Sequence, residues 1–102
     1  MLPTGAQPLL PGCTPWPAEL ARCYRQAGYW QGDSLDELLR RWAQRSGGTT
    51  ALVSGTDRIS YVELDRRVDV MAAGLLALGI GTRDRVVVQL PNTAEFVVLL
   101  FA

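Results

Sequence analysis

The sequence predicts an α/β fold preceded by an extended, proline-rich arm. Three observations point to it. Two capping boxes, Ser34-Leu35-Asp36-Glu37 and Ser60-Tyr61-Val62-Glu63, each open a run with helical apolar spacing. Residues 49–53 between them are rich in β-branched side chains, as a strand requires. Residues 85–90 are apolar nearly throughout, as expected of a strand covered on both faces in a parallel sheet.

The chain has 102 residues, enough for one small domain. Ten Arg balance ten acidic residues, so the formal charge is zero. That balance offers no basic footprint for nucleic acid and no polybasic patch for a membrane. Lys and His are both absent from the sequence. This excludes a Walker-type lysine, a Schiff-base lysine, a histidine general base and every His-containing metal site within these residues. Cys13 and Cys23 match neither C-x-x-C nor a zinc spacing, and two isolated thiols fit a reducing, cytoplasmic compartment. The first positive charge is Arg22 and no apolar signal core precedes it, so a secretory signal is not expected. The longest apolar run, residues 96–102, is too short to span a bilayer.

The elements follow in order. Residues 1–33 read as an extended amino-terminal arm with a short helix. Pro3, Pro8, Pro11, Pro15 and Pro17 fix φ and remove backbone donors over its first half. Residues 18–27 can form a helix, which Gly28 ends. Trp16, Tyr24, Tyr29 and Trp30 need packing partners, expected on a larger body. Residue 34 begins the domain proper. Ser34 and Glu37 can exchange hydrogen bonds, a cap worth ~1 kcal/mol. Leu35, Leu38, Leu39 and Trp42 form one apolar stripe. Asp36 with Arg40 and Glu37 with Arg41 are i, i+4 ion-pair candidates. The helix should end at Ser46-Gly47-Gly48.

A strand over 49–53, a turn at Ser54-Gly55-Thr56-Asp57 and a short return strand at Arg58-Ile59 predict a hairpin. The next helix starts at the second capping box, where Ile59 and Leu64 have the spacing of a hydrophobic staple. Tyr61, Leu64, Val68, Met71, Ala72 and Leu75 form its buried stripe, and Gly79 suits a left-handed C-cap with Ile80 folding back on Leu75. Gly81-Thr82-Arg83-Asp84 is a tight connection to the strand at 85–90. Pro91-Asn92 then turns into a last helix with Asn92 as N-cap and Glu95 at N3. From Phe96 onward that helix is apolar all round and should be buried on most sides. It reaches Ala102 without Gly, Pro or a polar cap, so the chain is expected to be a fragment cut inside a helix.

Ser46-Gly47-Gly48-Thr49-Thr50 has the look of a phosphate-binding loop, because small residues let backbone N–H groups approach phosphate oxygens. Gly74, Gly79 and Gly81 make no dinucleotide fingerprint, since Gly74 falls inside a helix.

Ile59-Ser60-Tyr61-Val62-Glu63-Leu64 resembles the first core motif of the adenylate-forming superfamily, L-[ST]-Y-x-E-L. The segments Ala72-Ala73-Gly74-Leu75-Leu76-Ala77-Leu78-Gly79-Ile80 and Asp84-Arg85-Val86-Val87-Val88-Gln89-Leu90-Pro91-Asn92 continue the likeness, as does Glu95-Phe96. Tyr24-Arg25-Gln26-Ala27-Gly28-Tyr29-Trp30 resembles the opening of one branch, the stand-alone aryl-acid adenylating enzymes of siderophore biosynthesis. These are 2,3-dihydroxybenzoate–AMP and salicylate–AMP ligases, and the likeness runs in register over residues 11–102.

The resemblance implies that residues 34–102 begin the large amino-terminal, AMP-binding domain of a longer cytoplasmic enzyme, truncated within a helix. It implies ATP and Mg²⁺ as cofactors of that enzyme, an aryl acid as substrate, and a carrier-protein phosphopantetheine thiol as acyl acceptor. In the family the phosphate loop reads roughly [ST]-[SG]-G-[ST]-T-G-x-P-K and follows the core motif. Here Ala51, Val53 and Ser54 stand where Gly, Pro and Lys are required, and the stretch precedes the motif. A helix C-cap leading into a strand is the better reading. No catalytic, cofactor-binding or metal-binding residue is therefore assigned, and the 102 residues alone are expected to be inactive and to bind no cofactor. Tyr61 is read as core packing and Glu63 as a capping carboxylate. The alternatives are a piece of an acyl-CoA ligase or peptide-synthetase adenylation domain, and a truncated non-catalytic interaction module.

Overall fold

The computed structural model describes residues 10–102. Its elements are α1 (Ala18–Gln26), α2 (Leu35–Ser46), β1 (Thr50–Ser54), β2 (Asp57–Ser60), α3 (Tyr61–Ala77) and α4 (Ala94–Phe101). The chain divides into two compact units between Gly32 and Asp33. Pro3 and Pro8 of the expected arm lie outside the described residues.

In the first unit, Leu10-Pro11-Gly12-Cys13 closes a turn through Cys13 N–H to Leu10 O at 3.1 Å, with Gly12 at φ +83°. Proline followed by a positive-φ glycine is the pattern of a type II turn. Pro17 stands at the N-cap of α1, where its missing N–H is no loss. Gly28, at φ +77°, ends the helix. Gly28 N–H donates to Arg25 O and Tyr29 N–H to Tyr24 O, the paired bonds of a Schellman motif. This reversal brings the aromatics together. Trp16 meets Trp30 edge-on at 5.6 Å and Tyr24 at 6.2 Å, and Tyr24 lies 5.3 Å from Trp30. The Arg25 guanidinium sits 5.7 Å over the Trp30 ring.

The second unit is built on one core: Leu39 of α2, Ile59 of β2, Leu64 and Val68 of α3, and Ala94 and Val98 of α4. Each pair sits at helical spacing, i and i+4, so two turns of α3 and two of α4 face the same centre. The expected α2 stripe is narrower than its apolar spacing suggests. Leu39 is fully buried, Leu38 half-buried, and Leu35 and Trp42 are exposed. The hairpin is antiparallel, with Ser54 opposite Asp57 and a bulge between Thr50 and Leu52. Its two-residue turn begins at Gly55, whose φ of +60° is the sign a type II′ turn demands. α3 ends as expected: Gly79 is left-handed at φ +88°, and its N–H and that of Ile80 donate to Leu76 O and Leu75 O.

Three expectations for residues 85–102 differ from what the structure shows. Residues 85–90 are not a parallel strand. Among the described residues the one sheet is the two-stranded β1–β2 ladder, and residues 85–90 lie outside it. An apolar pattern makes a strand only when another strand supplies the ladder. Val87 is consequently 95% exposed, with Val86, Val88 and Leu90 also exposed. The N-cap of α4 is Thr93, not Asn92, which puts Glu95 at N2. Pro91 explains the shift, because Thr93 N–H turns back to Pro91 O at 2.8 Å before the helix can begin. Finally, α4 is fully buried on one face only: Ala94 and Val98 are buried, Phe96, Val97, Leu99 and Phe101 are half-buried, and Leu100 is exposed.

An exposed apolar segment outside a sheet ladder is a template for association. Val87→Asp should therefore shift the chain in sedimentation analysis toward its monomer mass of 11.2 kDa. Because Val87 is almost fully exposed, hydrogen exchange of α3 should be unchanged in the same variant. Equal self-association in both proteins would contradict this reading of the segment.

Candidate functional site

The chemically suggestive residues converge where α2, β1 and α3 meet. Ser46, the last residue of α2, accepts from Thr49 N–H at 2.9 Å, which closes a tight turn over Gly47 and Gly48. The turn then presents two carbonyls to the start of α3. Gly47 O accepts from Val62 N–H at 3.1 Å, and Thr49 O accepts from Tyr61 N–H at 3.0 Å. The Ser60 hydroxyl accepts from Glu63 N–H at 3.3 Å. Three successive N–H groups that α3 cannot satisfy internally thus find acceptors.

A phosphate needs converging N–H donors, and two of this loop's backbone carbonyls are committed to a helix N-terminus. Gly47 is also needed for its size rather than its dihedral freedom. It is right-handed helical at φ −53°, but a Cβ there would lie 2.6 Å from Ala43 O and 3.4 Å from the Val62 side chain. At Gly48 nothing lies within 4 Å of such a Cβ.

The stretch Ile59-Ser60-Tyr61-Val62-Glu63-Leu64 forms the other half of the junction. Ile59 and Leu64 are both buried in the core, one on each side of the cap, as the staple spacing predicts. The Tyr61 ring meets Trp42 of α2 edge-on at 6.1 Å. Glu63 departs from expectation. It does not return to the Ser60 N–H but accepts from Arg66 Nε and Nη2 at 2.9 Å each and from Arg67 Nε at 2.8 Å. Hydrogen bonds from Arg66 first, and then from Arg67, pull its carboxyl from an ordinary 4.5 to about 2. Two guanidinium groups one turn away outcompete a single neutral N–H. The i+3 and i+4 spacing of Arg66 and Arg67 was the sequence signal for this network.

At α2, Ser34 N–H donates to Glu37 Oε2 at 2.9 Å, the return arm of its capping box. A hydrogen bond from the Ser34 hydroxyl is the main cause that holds the Asp36 carboxyl below its usual value. Glu37 therefore does not pair with Arg41, which reaches Asp33 at 2.8 Å. Arg40 does not bridge Asp36 but crosses to Asp69 of α3 at 2.9 Å.

A cleft of about 220 Å³ lies beside the hairpin turn and the start of α4. Ser54, Gly55, Asn92 and Thr93 are among its lining, and no titratable side chain is. It holds no general acid, general base or anionic metal ligand. Among the described residues, no group of three His, Cys, Asp or Glu side chains could hold a metal ion. No described helix is long and apolar enough to cross a membrane. The chain has no Lys or His, and its described residues offer no acidic cluster of the kind that holds Mg²⁺ beside a triphosphate.

Three measurements test this junction. Gly47→Ala should lower the urea midpoint, by a clash typical of overpacking at ~1–3 kcal/mol, while Gly48→Ala should leave it unchanged. A phosphate loop would need both glycines, so equal sensitivity would overturn the capping role. Ser60→Ala should weaken exchange protection of the α3 amides about fivefold, the equivalent of a lost ~1 kcal/mol cap. The Glu63 carboxyl should titrate near 2 by NMR, and near 4.5 once Arg66 and Arg67 are both replaced by Ala. Its folded pKa lies below the unfolded one, so its stabilisation is complete above about 4.5 and disappears as the pH falls through about 2.

The family model described as "AMP-binding enzyme" matches residues 39–102, more than half of the chain. The chain is 50% identical over 94 residues to the 2,3-dihydroxybenzoate-AMP ligase of Bacillus subtilis, covering 92% of this chain and 17% of that enzyme. It is 47% identical over 98 residues to the salicyl-AMP ligase / salicyl-S-ArCP synthetase of Mycobacterium tuberculosis, covering 91% of this chain and 17% of that enzyme. Among solved structures, apo MbtA of Mycobacterium smegmatis superimposes with a TM-score of 0.81 at 52% identity, over 88% of this chain and 17% of that one. The chain therefore spans about one-sixth of the length of these relatives and aligns with their amino-terminal region. With its core motif folded as a helix-capping junction and its residues in register with these ligases, the chain belongs to the AMP-binding enzyme family.

Proposed function

We propose that this chain is the amino-terminal portion of a longer ATP-dependent aryl-acid ligase, residues 34–102 forming the start of its adenylation domain and residues 1–33 the arm before it. The observation that carries this reading is the 50% identity to a 2,3-dihydroxybenzoate-AMP ligase over nearly the whole chain. The salicyl-AMP ligase at 47% supports the same substrate class. In the reaction, a carboxylate oxygen of 2,3-dihydroxybenzoate or salicylate attacks the α-phosphorus of ATP and pyrophosphate leaves. A carrier-protein thiol then attacks the acyl carbon of the aryl-AMP, and AMP departs. ATP and Mg²⁺ belong to that longer enzyme, which works in siderophore biosynthesis in the cytoplasm, without nucleic acid or membrane.

In this proposal the present residues contribute scaffold rather than chemistry. The motif at 59–64 starts α3 and fixes α2, β2 and α3 to one core, on which later parts of a domain can be built. No residue from 1 to 102 is a catalytic residue. The absence of Lys leaves no ammonium to stabilise a forming acyl phosphate.

The reading is tested in two steps. The longer enzyme should exchange labelled pyrophosphate into ATP when 2,3-dihydroxybenzoate or salicylate is added, and not with aliphatic acids. Exchange driven by aliphatic or amino acids alone would instead favour an acyl-CoA ligase or peptide-synthetase adenylation domain. The 102-residue chain should give no saturable heat with Mg-ATP in calorimetry. A submillimolar site lost on enlarging Gly47 and Gly48 would show that the loop binds phosphate after all.

A further inference from the structure

We draw no further inference here: the strongest candidate, the apolar groove of about 310 Å³ between α3 and α4 lined by Arg67, Val70, Met71, Glu95 and Val98, carries nothing because nothing in the structure shows what covers it.

Discussion

The first turn of α3 is the constraint on which the second unit depends. A helix of this kind begins with N–H groups that its own backbone cannot satisfy, and helix nucleation is unfavourable without help. Here the help comes from three places at once. Gly47 O and Thr49 O arrive from the turn after α2, and the Ser60 hydroxyl from the end of β2. Tyr61, Val62 and Glu63 thereby lock α2, the hairpin and α3 into one orientation. Leu64 and Val68 then fall on the face that meets Leu39, and Ala94 and Val98 can close over the same centre.

This arrangement explains why small residues cluster where they do. The chain leaves α2, turns within two glycines and enters β1, while the start of α3 crosses the turn. Gly47 is where the turn, Ala43 O and Val62 come closest, and there is no room for a side chain. Such a loop shares its composition with a phosphate cradle because both require close backbone approach. What separates them is which backbone group faces inward, and that depends on the crossing of two elements rather than on composition.

The charged residues follow a different logic. Every cation is Arg, and Arg reaches far and binds carboxylates in a fork. Glu63 takes two of them, and Arg40 spans from α2 to α3. These pairs are largely exposed, so each contributes little to stability. They lie on the solvent side of α3, away from Leu64 and Val68 in the core.

Much of this was legible in the sequence by itself, because the signals are local. One arm of each capping box, the staple of Ile59 and Leu64, the Gly79 stop and the Gly55 turn are set by residues within five positions of one another. A short-range hydrogen bond or dihedral preference needs no distant partner. The relationship to AMP-binding enzymes was likewise readable from the motif at residues 59–64 and the segments that follow it. What only the tertiary structure decided were the choices between competing partners. Arg40 preferred an Asp on the facing helix to one on its own. Residues 85–90 show the same limit, since apolar patterning prepares a segment for a sheet but a strand exists only against a neighbour. The direction of the loop's carbonyls was decided this way too, because it is fixed by α3 crossing the turn from outside it.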